Sequence, residues 1–122
     1  MNIIDPNPNG NSSVLLIHGL GADGSSWFFQ TEALKQAGFR PIAIDLPGFG
    51  KTPNYLSHWS IENVRDECFT SIQQMGINQF AVIGHSLGGL IALSLAVQYP
   101  QSIKKLCLIN SFAYLRPVKL DD

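Results

Sequence analysis

The chain has 122 residues, 45% of them hydrophobic and only 14% charged, with a formal net charge of −1. That length suits one domain burying roughly 65% of its unfolded surface, and the near-neutral balance argues against nucleic acid or an anionic membrane as an electrostatic partner. No apolar run is long enough to cross a bilayer, and the N-terminus MNIIDPNPNG lacks a basic region followed by an apolar core, so we expect a cytoplasmic protein with no signal peptide and no membrane partner.

In chain order, Ile3-Ile4 allows at most a short strand, followed by a turn at Asn9-Gly10. Val14 to Ile17 is a continuous apolar strand, running into the glycine-rich loop His18 to Gly24. Ser25 or Ser26 is placed to cap a helix carrying Trp27, Phe28, Thr31 and Leu34, which Gly38 closes. Pro41 to Asp45 is the next strand, and Leu46 to Pro53 a loop. Ser60 caps a second helix, whose apolar positions Ile61, Val64, Cys68, Ile72 and Met75 fall at helical spacing. Phe80 to Ile83 is a third buried strand, and Leu90 to Val97 is apolar almost all round, as a buried helix would be. Lys104 to Asn110 is a fourth strand. Solid apolar strands alternating with helices predict an α/β fold, with a parallel sheet covered by helices on both faces. Cys68 and Cys107 lie in apolar-periodic segments and read as small core residues in a reducing compartment.

Chemistry concentrates at Gly84-His85-Ser86-Leu87-Gly88, between a strand and a buried helix. A serine that stands proud of a sheet edge needs a very tight strand-to-helix turn. Residues two before and two after it must then lack side chains. Gly84 and Gly88 meet that need, and Ser86 becomes the candidate nucleophile beside free helix N–H groups.

Two other glycine patterns compete. Gly19, Gly21 and Gly24 form a G-x-G-x-x-G with Asp45 about 20 residues on, as a dinucleotide site requires. That alternative leaves Ser86 and its glycines without a role. Gly50-Lys51-Thr52 ends like a phosphate-binding loop, but Asp45 stands where the first glycine belongs and Pro53 where the helix should run.

Three stretches together resemble the α/β-hydrolase family. His18-Gly19 with its following glycines resembles the oxyanion loop. Asp45 to Thr52 (DLPGFGKT) resembles the D-x-P-G-x-G-x-S/T loop, and Gly84 to Gly89 the nucleophile elbow. The resemblance covers about residues 14 to 111, with small carboxylic-ester esterases the nearest look. It implies Ser86 as catalytic nucleophile, with the backbone N–H groups of Leu20 and Leu87 as the oxyanion hole. It makes His18, Gly19, Gly84 and Gly88 structural supports. Asp45 is expected to tie its own loop to backbone N–H groups. His85 should point aside and shape the acyl pocket, and His58 should face the surface or a lid. The implied partner is a small ester or thioester substrate, with no metal or cofactor needed.

Family members place the acid and then the histidine after the serine. Here no histidine follows Ser86, and the only later carboxylates are Asp121 and Asp122. The expectation is therefore one incomplete α/β-hydrolase domain over residues 1–122, the N-terminal part of a longer hydrolase, ending about where the lid would begin. Two alternatives stand beside it. One is a half-length chain pairing with another through the edge strand Lys104 to Asn110. The other is a non-catalytic binding module of the same fold.

Overall fold

Short apolar runs rich in Ile, Leu and Val become strands because both their faces can be buried. In the computed structural model, residues 1–111 are described. They form β1 (Ile3–Ile4), β2 (Ser13–Ile17), a 3-10 turn (Gly24–Trp27), α1 (Phe28–Gln36), β3 (Arg40–Ile44), α2 (Ile61–Gln74), β4 (Phe80–His85), α3 (Leu87–Gln98) and β5 (Ile103–Ile109). The sheet order is β1-β3-β2-β4-β5. All neighbours run parallel except β1, which pairs antiparallel with β3. The departure from an all-parallel sheet is that two-residue edge strand. It enters before any helical crossover, so nothing forces it parallel.

Strand alternation then divides the core. Leu15 and Ile17 of β2, Ile42 and Ile44 of β3, and Val82 of β4 pack with Val64, Cys68 and Ile72 of α2 and with Ile91 and Leu95 of α3. Val14, Leu16 and Ala43 face the other way, onto Trp27 with Leu34 of α1. Helices therefore cover both faces, as predicted. Ser60 caps α2 as expected, its hydroxyl accepting from Asn63 N at 3.1 Å.

Two expectations fail here. Neither Ser25 nor Ser26 caps α1. The 3-10 turn comes first, Asp23 caps it by accepting from Ser25 N at 2.8 Å, and α1 starts from Trp27 with no side-chain cap. Cys107 is exposed, not core. It lies on β5, which among the described residues has a strand neighbour on one side only. Cys68 is fully buried, and burial pushes its thiol up to about 12, so it is inert.

The tightest packing surrounds the β4–α3 junction. A Cβ on Gly84 would overlap the carbonyl oxygen of Gly88, and one on Gly88 would overlap the carbonyl oxygens of Ile17 and His18. These obstacles are backbone in the centre of the sheet and cannot swing away. Gly88→Ala is expected to cost at least about 3 kcal/mol, read as a lowered urea midpoint; a loss under about 0.5 kcal/mol would contradict this packing.

Candidate active site

One residue separates β4 from α3, and that residue is Ser86. Its φ of 55° and ψ of −118° are outside the regions a side chain prefers. Such a conformation persists only where its surroundings over-determine it. Here the Ser86 N–H donates to Ile109 O at 3.1 Å, and its carbonyl accepts from Gly89 N at 2.9 Å and Leu90 N at 3.3 Å. Ser86 and Leu87 line a cavity of about 660 Å³ together with Leu20 from the loop after β2. Pro47, Phe49, Asn54 and Trp59 complete most of its wall. Leu87 is the first residue of α3, so its N–H has no acceptor within the helix.

The loops that shape this cavity are fastened by two buried polar side chains. His18 is 1% exposed. Its Nδ1–H donates to Gly19 O at 2.7 Å, and its Nε2 accepts from Leu46 N at 3.0 Å. Burial lowers its pKa, against the opposing pull of the Gly19 carbonyl and of Asp45 and Asp23. The imidazole is therefore the neutral tautomer that this pair of bonds requires. It joins the loop after β2 to the loop after β3. Asp45 accepts from Gly24 N at 2.7 Å, Lys51 N at 2.9 Å and Asn2 Nδ2 at 2.9 Å. Burial alone would raise its carboxyl, but these hydrogen bonds outweigh it and the pKa is lowered. Thr52 closes the ring, donating to Asp45 O and accepting from Asn2 N, both at 2.8 Å.

This geometry corrects the dinucleotide alternative. The Gly24 N–H that a pyrophosphate would need already donates to the Asp45 carboxylate, and that carboxylate is taken up by Gly24, Lys51 and Asn2, leaving it no part in holding a ribose. His85 points aside, as expected, but is not placed to shape an acyl pocket at Ser86. It is exposed and lines a second, smaller recess with Ala22, Trp27 and Gln30, not the cavity at Ser86. Adjacent residues diverge sharply at a turn this tight, and His85 falls on the α1 side of the sheet. His58 is exposed, as expected. Sequence reasoning missed Trp59 and Asn54. Trp59 reaches the cavity because its indole N–H donates to Pro47 O at 2.9 Å, a long-range contact without a sequence pattern.

Asp45→Ala would leave three N–H donors without an acceptor. We expect a loss of about 2–4 kcal/mol, measured by chemical denaturation, and an unchanged midpoint would contradict the assigned role. His18 gives a pH dependence. Its folded pKa lies below the ordinary 6.5, so its contribution is complete above that pH. The contribution falls as the pH drops from there towards the folded value, by at most about 1.4 kcal/mol per pH unit. Urea titrations between pH 7.5 and 5 should show this fall, and His18→Asn should be less stable at pH 7.5 with a shallower slope. Equal slopes would contradict it.

The comparisons with known proteins agree with this architecture. A family model described as the alpha/beta hydrolase fold matches residues 12–121. The chain is 35% identical over 105 residues to the protein named "Putative carbamate hydrolase RutD" of Klebsiella pneumoniae, covering 85% of this chain and 39% of that one. It is 33% identical over 101 residues to the bifunctional epoxide hydrolase 2 of Sus scrofa, covering 81% of this chain and 18% of that one. Among solved structures, a thermophilic esterase from Thermogutta terrifontis superposes with a TM-score of 0.86 at 28% identity, over 98% of this chain and 42% of the esterase. A probable hydrolytic enzyme from Pseudomonas aeruginosa gives 0.81 at 29% identity, over 90% and 36%. The chain thus spans about two fifths or less of the length of these proteins. With the family model matched over nearly its whole length, and with the strand order and β4–α3 turn described above, the chain belongs to the α/β-hydrolase fold family.

Proposed function

We propose that the intact protein is a serine hydrolase that cleaves a carboxylic ester or thioester through an acyl-enzyme on Ser86. The observation that carries this reading is the strained Ser86 backbone at the head of α3, on the same cavity as Leu20 and Leu87. Strain of that kind is retained where it aims a group at a ligand. In the proposed reaction the Ser86 hydroxyl attacks the carbonyl carbon. The backbone N–H groups of Leu20 and Leu87 hold the oxygen as it becomes anionic. The alcohol or thiol leaves, and water then releases the acid and restores the hydroxyl. The mostly apolar cavity wall, with Pro47, Phe49 and Trp59, suits the acyl or alkyl portion of such a substrate. The esterases among the structural neighbours support the ester class.

A serine hydroxyl needs a base. His18 has both ring nitrogens engaged, His85 lines the other recess, and His58 is exposed and outside the lining of the Ser86 cavity. We therefore assign the base and the acid that orients it to residues outside these 122, in a longer domain of which this chain is the N-terminal part. The exposed apolar Leu106, Leu108 and Ile109 of β5 support that reading, because a larger domain would cover them. These 122 residues alone should be nearly inactive, since the oxyanion hole without a triad leaves only residual catalysis.

The experiment is labelling of the full-length protein with a fluorophosphonate probe. Wild type should label at Ser86, and Ser86→Ala should lose the label, with at least about a thousandfold loss of ester turnover. Labelling that survives the substitution overturns the assignment.

A further inference from the structure

The end of β5 grips Ser86 from the neighbouring strand. Ile109 O accepts the Ser86 N–H at 3.1 Å. Two residues on, the Ser111 hydroxyl donates to the Ser86 carbonyl oxygen at 3.0 Å. Between them Asn110 has a φ of 44°, the only described non-glycine residue besides Ser86 with a positive φ. Asparagine is among the few side chains that tolerate this region. The bend at Asn110 brings the Ser111 hydroxyl to the Ser86 carbonyl at the head of α3. Space for it exists because residue 89 is glycine: a Cβ there would overlap the Ser111 hydroxyl oxygen and Cβ.

We propose that Ser111 is a positioning residue for Ser86, with Ile109 O and the Ser111 hydroxyl clamping the two peptide groups that flank the strained Cα. This rests on the reading of Ser86 as the nucleophile and adds a residue from outside the G-x-S-x-G stretch. The physical reason is leverage. The φ and ψ of Ser86 set the direction of its Cβ, and through it where the hydroxyl oxygen stands over the cavity. Both peptide planes must be held for that direction to be fixed. The N–H side is held by a backbone oxygen that cannot be substituted. On the carbonyl side the Gly89 and Leu90 amides come from α3 itself, so Ser111 supplies the grip from outside the helix. A displacement on the order of an ångström at a reacting atom is enough to cost a large factor in rate. Gly89 is then explained by the same clamp: it makes room for the hydroxyl, as Gly84 and Gly88 make room for carbonyl oxygens.

The test uses the full-length protein and two readouts. In the first, fluorophosphonate labelling rates and ester kinetics are measured for wild type, Ser111→Ala and Ser111→Thr. Ser111→Ala should lower the labelling rate and kcat about 10- to 100-fold with KM little changed, and Ser111→Thr, which keeps the hydroxyl, should recover most of the loss. A merely structural serine would lower the melting temperature and leave kcat per folded molecule where it was. The second readout is hydrogen exchange of the peptide spanning residues 84–90, which needs no activity. It should speed up about fivefold or more in Ser111→Ala. Wild-type labelling with unchanged rates in Ser111→Ala overturns the inference, as does unchanged exchange. Faster exchange in a protein that never labels at Ser86 keeps the clamp and removes the nucleophile reading instead.

Discussion

Three backbone segments meet at the Ser86 turn at distances that no Cβ could survive. The Gly88 carbonyl occupies the space of a side chain on Gly84, and the Ile17 and His18 carbonyls occupy that of a side chain on Gly88. The end of β4, the start of α3 and the end of β2 are thereby packed main chain against main chain. A residue in the Ser86 conformation costs on the order of 1–3 kcal/mol. The cost is offset because relaxing it would pull α3 off two central strands at once. Ile17 is paired with Gly84 across the ladder and is fully buried, so β2 cannot retreat to make the turn easier.

Around this knot lies a second layer, polar and equally buried. Cavity loops of this size would ordinarily be among the more mobile parts of a fold. Here they are held by side chains with little exposure, His18 at 1% and Asp45 at 3%. Each satisfies backbone N–H groups that the loops would otherwise leave without acceptors. The His18 ring also meets Phe49 edge-on, with centroids 5.4 Å apart, so one imidazole both ties the two loops and braces a cavity wall. Gly50 follows from the same layer, since a Cβ there would overlap the Asp45 carboxylate. The motif DLPGFGKT is thus a structural device: its acid faces inward to hold the loop, and its aromatic residue is left beside the cavity.

What could be read from sequence follows the range of the forces involved. Strands β2 and β3 were legible because Leu15 to Ile17 and Ile42 to Ile44 are buried without interruption and so must be apolar throughout, and β4 because Phe80 and Val82 are buried while Ala81 and Ile83 are half-buried. Helix α2 was legible from its period and from Ser60, a local cap. The turn at Ser86 was legible because close backbone approach demands glycine at fixed offsets. The failures were of tertiary origin. Ser25 and Ser26 fall inside a 3-10 turn that Asp23 caps, so neither is left to cap α1. Cys107 sits in an apolar run, yet its surroundings among the described residues leave it exposed. His85 points aside as the tight turn implies, but the recess it then lines is set by α1 and the loop after β2, and is not the cavity at Ser86. Trp59 joins the cavity wall through one hydrogen bond to a residue 12 positions away.

Helix α3 explains why the serine sits where it does and not on the other helices. Its residues Leu87 to Ala92 are all buried, whereas α1 buries only Thr31 and leaves Phe28 and Phe29 exposed. A helix held on so many sides cannot slide or tilt, so its first turn is a fixed reference point. Its polarity matters as much as its rigidity. The first turn of α2 carries Glu62, which satisfies the positive end of that helix. The first turn of α3 carries no acidic residue and its N-cap makes no side-chain hydrogen bond. With no carboxylate in that turn, the partial positive charge of the helix end beside the cavity favours an oxygen that gains negative charge. The Leu-Gly-Gly-Leu sequence after Ser86 therefore does two things through what it lacks: without bulk it lets the helix seat against the sheet, and without carboxylates it leaves that seat electropositive.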